Sequence, residues 1–342
     1  MASIVEPESA APHDHGHHGD HPDFLAHHFE TPQQQYDSGK LGMWLFLINE
    51  VLFFSGLFVA YAVYRSNHPE IFVYAHQFLD KNLGAFNTVV LLFSSLTMAW
   101  AVRHAQLVNN RGLITCLAVT IGCAIMFLGV KAVEYSHKWD IGLYWAARFA
   151  PTDHHEGSST LIWACLPFII FSVVLAAATA VSKWRQYEQG FRFYGILFLT
   201  SLAFYVGVGS GIVVPAVMGS GDSHGATHES AAHEQVAAHE QPAASNQVVL
   251  AHDDAAHAAH LETADEEMPR NVGVFFSIYY MMTGLHVVHI IAGIIALAWL
   301  LWRALKRQFQ AEYFGPVDSV GLYWHLVDLV WIYLFPLMYL IH

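Results

Sequence analysis

Charge is what this sequence has little of. Asp, Glu, Lys and Arg make up 13% of its 342 residues, about half the share of an ordinary soluble domain. That deficit excludes a water-exposed surface over most of the chain. Cysteine is scarce too. Cys116, Cys123 and Cys165 all lie in apolar runs, with neither a disulfide framework nor metal-ligand spacing, and read as small buried side chains. Residues 1–40 contain no apolar core and no arginine, so neither a cleaved secretory signal nor a mitochondrial transit peptide is expected. A basic excess is also missing. The net charge is −13, which argues against nucleic-acid binding.

What the chain does have is apolar length. Hydrophobic residues reach 55%, and several runs are about 20 residues or longer, enough to cross a bilayer. Seven spans are predicted, at roughly 41–64, 83–103, 112–135, 160–182, 193–217, 271–302 and 317–341. Backbone in lipid must satisfy its own hydrogen bonds, so each span is expected to be helical and the fold an all-α polytopic membrane bundle. Trp44, Trp100, Trp163, Trp299, Trp302 and Trp324 fall toward span ends, where indole rings favour the interface. With the N-terminus cytoplasmic, nine basic residues flank the inner ends and six the outer ends. The expected orientation is therefore N-in, C-out.

The acidity belongs to two polar segments. Residues 1–39 form a His-rich tail and residues 218–270 a His-rich loop, each with seven histidines. Both have the composition of disordered segments. His-rich tracts can bind metal, and the plainer reading is a solvated linker. Outside residues 1–40 and 218–270 the chain holds 13 basic and 11 acidic residues, so its membrane body is nearly neutral.

Against that background a few intramembrane groups stand out. LFLINEVLFFSG (Leu45 to Gly56) carries Glu50 with no lysine or arginine between Lys40 and Arg65. Ionisable groups in a span are costly and mark function or a polar partner. Counting along helices at about 1.5 Å per residue, Glu50 lies at a depth similar to His286 and His289 in span six and His325 and Asp328 in span seven. The two histidines are three residues apart, as are His325 and Asp328, so each pair shares a helix face. These five groups can form one polar layer. It reads either as a proton-handling or lipid-headgroup network, or as hydrogen bonds that fix helix packing. Lys131 and Glu134, also three apart near the outer end of span three, read as a local ion pair with a snorkelling lysine. Gly207 and Gly211 make a GxxxG in span five, a pattern that also recurs by chance in Gly-rich spans.

Five motifs occur in order: WLFLINEVLFFSGLFVAY, NTVVLLFSSLTMAWAV, FLGVKAVEY, YYMMTGLHVVHIIAG and YWHLVDLVWIYLFPLMYL. Together they resemble subunit III of the haem-copper terminal oxidases, the cytochrome c oxidase type in particular. The resemblance covers residues 40–140 and 271–342. It implies a non-catalytic accessory subunit, itself without haem or copper, that partners subunits I and II, supports proton uptake and complex stability, and binds phospholipid. It implies residence in a bacterial cytoplasmic (inner) membrane. Glu50, His286, His289, Tyr323, Trp324, His325, Asp328, Lys131 and Glu134 fall on the family's motif positions. Residues 141–270, with spans four and five and the His-rich loop, read as an insertion. Accessory subunits of quinol oxidases or nitric-oxide reductases are the neighbouring alternatives. A transition-metal transporter is the alternative of another class, supported by the histidines but leaving the five ordered motifs without a reason.

Overall fold

A computed structural model describes residues 29–145, 159–218, 269–310 and 313–341. The His-rich tracts before residue 29 and between 219 and 268 lie outside these residues, and so do the readings made of them. The described residues form eight α-helices: α1 (Pro32–Asn67), α2 (Pro69–Ala75), α3 (Lys81–Gln106), α4 (Asn110–Asp140), α5 (Ser159–Trp184), α6 (Glu188–Met218), α7 (Val272–Leu305) and α8 (Gly315–Tyr339). A 3-10 turn, His76–Phe78, follows α2. Seven of the helices are long and apolar enough to cross a membrane, one for each predicted span.

Local chemistry sets the helix boundaries. The Thr31 side chain accepts from the Gln34 N–H, and Pro32 occupies the first turn, where its missing N–H costs nothing. α1 therefore begins inside the stretch read as tail. Asp80 caps α3 through the Asn82 and Leu83 N–H groups, and Asn109 caps α4 through Gly112. The bend between α1 and α2 falls at His68, just before Pro69. α2 packs under α7, with Phe72 in edge-on contact with Tyr61 (5.1 Å) and Phe275 (5.2 Å).

The spans alternate in direction, giving a near end, where α1 begins, and a far end, where α2 lies. α4 is the centre of the bundle and meets α3, α5, α6 and α7. More than half of its apolar stretch is buried (56%), against 11% for α1, which packs mainly along α8 and less closely on α2 and α7. α5 and α6 form a hairpin held by Phe168 stacked on Phe204 (4.0 Å, 12°) and by Ser172 and Ser201 (3.2 Å). The hairpin docks on α4 through glycines. A Cβ on Gly129 would sit 2.3 Å from the Phe204 carbonyl oxygen, and one on Gly207 would sit 2.2 Å from the Met126 carbonyl oxygen. Gly211 faces Val133 on the same seam. The GxxxG of α6 is thus a close backbone contact of the small-residue kind.

Trp44, Trp100, Trp163 and Trp299 are exposed on the bundle surface, as expected of interfacial indoles. Trp324 is not. It is fully buried and donates to Ser94 Oγ (3.1 Å), because its N–H finds a polar partner on α3 inside the bundle.

Candidate functional site: three buried polar clusters

The first cluster joins α1 to α7. Glu50 Oε2 lies 3.0 Å from His289 Nε2, so the equal depths counted along the two helices correspond to direct contact. His289 Nδ1 lies 2.9 Å from the Leu285 carbonyl oxygen. A carbonyl only accepts, so Nδ1 carries a proton. One further proton then sits between Nε2 and Oε2. It belongs either to a Glu50 carboxyl facing a neutral ring or to an imidazolium facing a carboxylate. Either way the pair is a one-proton unit, and among the described residues no third polar side chain bonds to it. Tyr323 donates to the His289 carbonyl (2.9 Å), fixing α8 against this point of α7, and the Phe54 ring lies 5.0 Å from the imidazole. Both partners keep about one-sixth exposure, 16% for Glu50 and 15% for His289. The pair therefore reaches the surface of the bundle.

The second cluster joins α3 to α8. Ser95 donates to Asp328 Oδ2 (2.5 Å). Having spent its single proton there, its oxygen accepts from His325 Nδ1 (3.0 Å). Ser94 lies 3.3 Å from the same carboxylate oxygen, within reach of the Trp324 N–H. Asp328 is 2% exposed and its Oδ1 has no hydrogen-bond partner among the described residues. The serines of NTVVLLFSSLTM are thus the partners of the α8 acid. Asp328→Ala is expected to leave the buried Ser95 hydroxyl without its acceptor and to loosen the Ser95–His325 contact that this bond orients. A loss of about 1–2 kcal/mol should appear as a lower thermal midpoint in detergent, with the helix content unchanged.

The expected single layer therefore resolves into separate pieces. Glu50 and His289 meet. Asp328 and His325 meet through Ser95. His286 joins neither group: it is fully buried, its ring nitrogens have no hydrogen-bond partner among the described residues, and it lies between Phe127 (5.6 Å) and Trp331 (5.3 Å). Three residues along a helix turn the side chain by about 60°, enough to aim His289 at α1 and His286 into the core.

The third cluster lies at the far end. Lys131 does not snorkel. It is 2% exposed, donates to Glu134 Oε2 (2.6 Å) and Tyr339 Oη (2.7 Å), and sits 4.4 Å from the Trp331 ring centre. Packing by α8 closes over the route its side chain would need to reach water. Glu134 Oε1 accepts from Lys138 (2.9 Å), Tyr279 (2.7 Å) and Tyr339 (2.5 Å). Lys138, Tyr279 and Tyr339 were not among the residues singled out from sequence. Lys138 had a signal: Lys131, Glu134 and Lys138 follow a spacing of three and four, one helical stripe. Ending the span at residue 135 had put Lys138 in a loop.

Among the described residues, no three His, Cys, Asp or Glu side chains come together in a manner suited to a metal ion.

A family model described as cytochrome c oxidase subunit III matches residues 22–208 and 223–342. The first matched stretch includes α5 and much of α6. Among curated proteins, cytochrome c oxidase subunit 3 of Synechocystis sp. is 39% identical over 77 residues, covering 22% of this chain and 33% of the relative. Probable cytochrome c oxidase subunit 3 of Mycobacterium leprae is 37% identical over 82 residues, 24% of this chain and 40% of the relative. A haem-copper oxidase subunit I+III of Aeropyrum pernix is 35% identical over 72 residues, 21% of this chain and 9% of the relative. The aligned stretches span about a third of the length of the first of these relatives.

Proposed function

The chain belongs to the cytochrome c oxidase subunit III family, and from that premise we propose that it is the accessory, non-catalytic subunit of a haem-copper terminal oxidase. The reaction, reduction of O2 to water coupled to proton movement, is carried out by a partner that holds the haem and copper. Subunits I and II are the proposed partners. A relative whose name joins subunits I and III in one chain supports the first of them. The proposed setting is a bacterial cytoplasmic membrane with the near end inside, in keeping with the basic residues flanking the spans. The proposed electron donor is cytochrome c.

The observation that carries the mechanistic part is the Glu50–His289 contact. A carboxyl–imidazole pair holding one transferable proton, at the edge of the bundle and on a helix that is mostly unburied, is suited to proton exchange with a partner packed beside α1. The same edge carries a groove of about 900 Å³ between α1 and α8, lined by Phe54, Phe58, Tyr61, Tyr333 and Leu337, with Arg65 toward its far end. Its apolar walls and single cation suit the acyl chains and headgroup of a phospholipid.

Glu50→Gln is the direct test of the pair. The amide keeps the shape and can still hydrogen-bond His289, so assembly with the partner subunits is expected to survive. The assembled oxidase should change severalfold in the number of turnovers completed before inactivation, or in its rate of proton uptake. Unchanged lifetime and proton uptake in the assembled variant would reduce Glu50 to a packing residue.

A further inference from the structure

The Glu50–His289 contact depends on how α7 is turned about its axis, and the sequence has a glycine where that turn can be set. In YYMMTGLHVVHIIAG the last residue, Gly293, follows His289 by four positions. Four residues along a helix bring the side-chain direction back to within about 40° of its start. Gly293 and His289 therefore share one stripe of α7. Gly293 is buried. A Cβ there would stand 2.7 Å from Trp324 Cζ3, 2.9 Å from Trp324 Cε3 and 3.4 Å from Tyr323 Cε1. The Trp324 indole thus rests directly on the α7 backbone, closer than any residue with a Cβ would allow.

Trp324 is not free to move aside. It is fully buried, and its N–H is committed to Ser94 Oγ on α3 (3.1 Å). Its neighbour Tyr323 grips the same turn of α7. The Tyr323 hydroxyl donates to the His289 carbonyl (2.9 Å), and its ring lies 6.0 Å from that of Phe46 on α1. Phe46 is four residues, one turn, before Glu50. Two consecutive residues of α8 therefore hold α7 at Gly293 and at His289, beside the part of α1 that carries the carboxyl. His289 Nδ1 is held by the Leu285 carbonyl (2.9 Å), so the imidazole follows the backbone wherever the helix turns. Gly284, on the same helix, has open space around its Cβ.

We propose that Gly293, Trp324 and Tyr323 are positioning residues for the Glu50–His289 pair, setting the rotation of α7 that brings Nε2 to the carboxyl. For its functional consequence this rests on the proton-exchange reading of the pair. None of the three side chains touches the shared proton. Trp324 seated on Gly293 sets how α7 is turned, and Tyr323 holds the His289 backbone beside α1. A methyl group on Gly293 would wedge α7 off the indole and swing His289 away from Glu50. At 3.0 Å the contact has little room to lengthen before the hydrogen bond is lost.

The test is infrared spectroscopy of the folded chain in detergent, with the Glu50 carboxyl band assigned by its loss in Glu50→Gln. His289→Phe gives the band of a Glu50 without its imidazole. Gly293→Ala and Tyr323→Phe should each shift the band toward that position, and Gly284→Ala should leave it in place. Adding Trp324→Phe to Gly293→Ala removes the ring atoms that the methyl group would meet, and should restore the wild-type band. Wild-type bands in folded Gly293→Ala and Tyr323→Phe would overturn the proposal. So would a Gly293→Ala band that Trp324→Phe fails to restore. Where Gly293→Ala does not fold, Tyr323→Phe and the double variant decide. In the assembled oxidase, Gly293→Ala should change turnovers before inactivation or proton uptake in the same direction as Glu50→Gln. Shifted bands with lifetime and proton uptake unchanged in every variant would leave the positioning role standing and sink the proton-exchange reading alone.

Discussion

Glu134→Gln is expected to be the most damaging single polar substitution in the bundle. It removes the one carboxylate that, among the described residues, pairs with Lys131 and Lys138, and leaves two ammonium groups buried side by side. Breaking a buried ion pair from one side costs about 3–5 kcal/mol, a large fraction of the stability of a typical domain. Little folded protein should be recovered on size exclusion in mild detergent. Lys138→Gln removes a charge from the same cluster but leaves Lys131 and Glu134 matched one to one, so its effect should be much smaller. Glu134→Gln combined with Lys131→Met and Lys138→Gln should recover most of the loss, since no buried charge then remains. Equal damage from Glu134→Gln and Lys138→Gln would show that the charge count does not govern this cluster.

The second large effect is expected at the α4–α6 seam. At Gly207 even a methyl group would stand 2.2 Å from a backbone oxygen, and at Gly129 2.3 Å, well inside contact distance. No side-chain rotation relieves a clash with backbone. Gly207→Leu and Gly129→Leu should each force the α5–α6 hairpin away from α4, at a cost above the roughly 1–3 kcal/mol of ordinary overpacking. Gly209→Ala is the control. It lies on the same helix with open space around its Cβ, and exchanging glycine for alanine within a helix is mildly favourable. Thermal midpoints in detergent should fall steeply for the two leucine variants and hold or rise for Gly209→Ala. Similar midpoints for all three would mean that the seam is not a tight contact.

How far these features could be read from the sequence depends on what each rests on. The spans rest on length and hydropathy, which are properties of single segments, so all seven were legible. The Glu50–His289 contact was half legible. Counting residues gives the height of a group along its helix, and the heights matched. It does not give rotation about the axis, so His286 and His289 looked equivalent. Only the packing of α1 and α8 against α7 separates them, one into the core and one to the edge. Asp328 was expected to meet histidines. Its bonded partners are Ser94 and Ser95, small residues whose polarity matters only once α3 is known to face α8. The Lys131–Glu134 pair was legible from its spacing. Its burial was not, because that depends on Tyr339, more than 200 positions away along the chain. The GxxxG of α6 carried no weight on its own. It gained meaning from Gly129, its counterpart on another helix.

The claim that this chain works as the accessory subunit of a terminal oxidase is tested most directly by tagging it and purifying it from its native membrane in mild detergent. The eluate is then examined by visible spectroscopy and for oxygen uptake. The account predicts haem absorption bands from co-purifying subunits and oxygen consumption driven by reduced cytochrome c. Haem bands with uptake driven only by quinol would keep the accessory role and change the donor. A colourless eluate containing this chain alone, under detergent conditions in which known oxidase complexes stay intact, would contradict it.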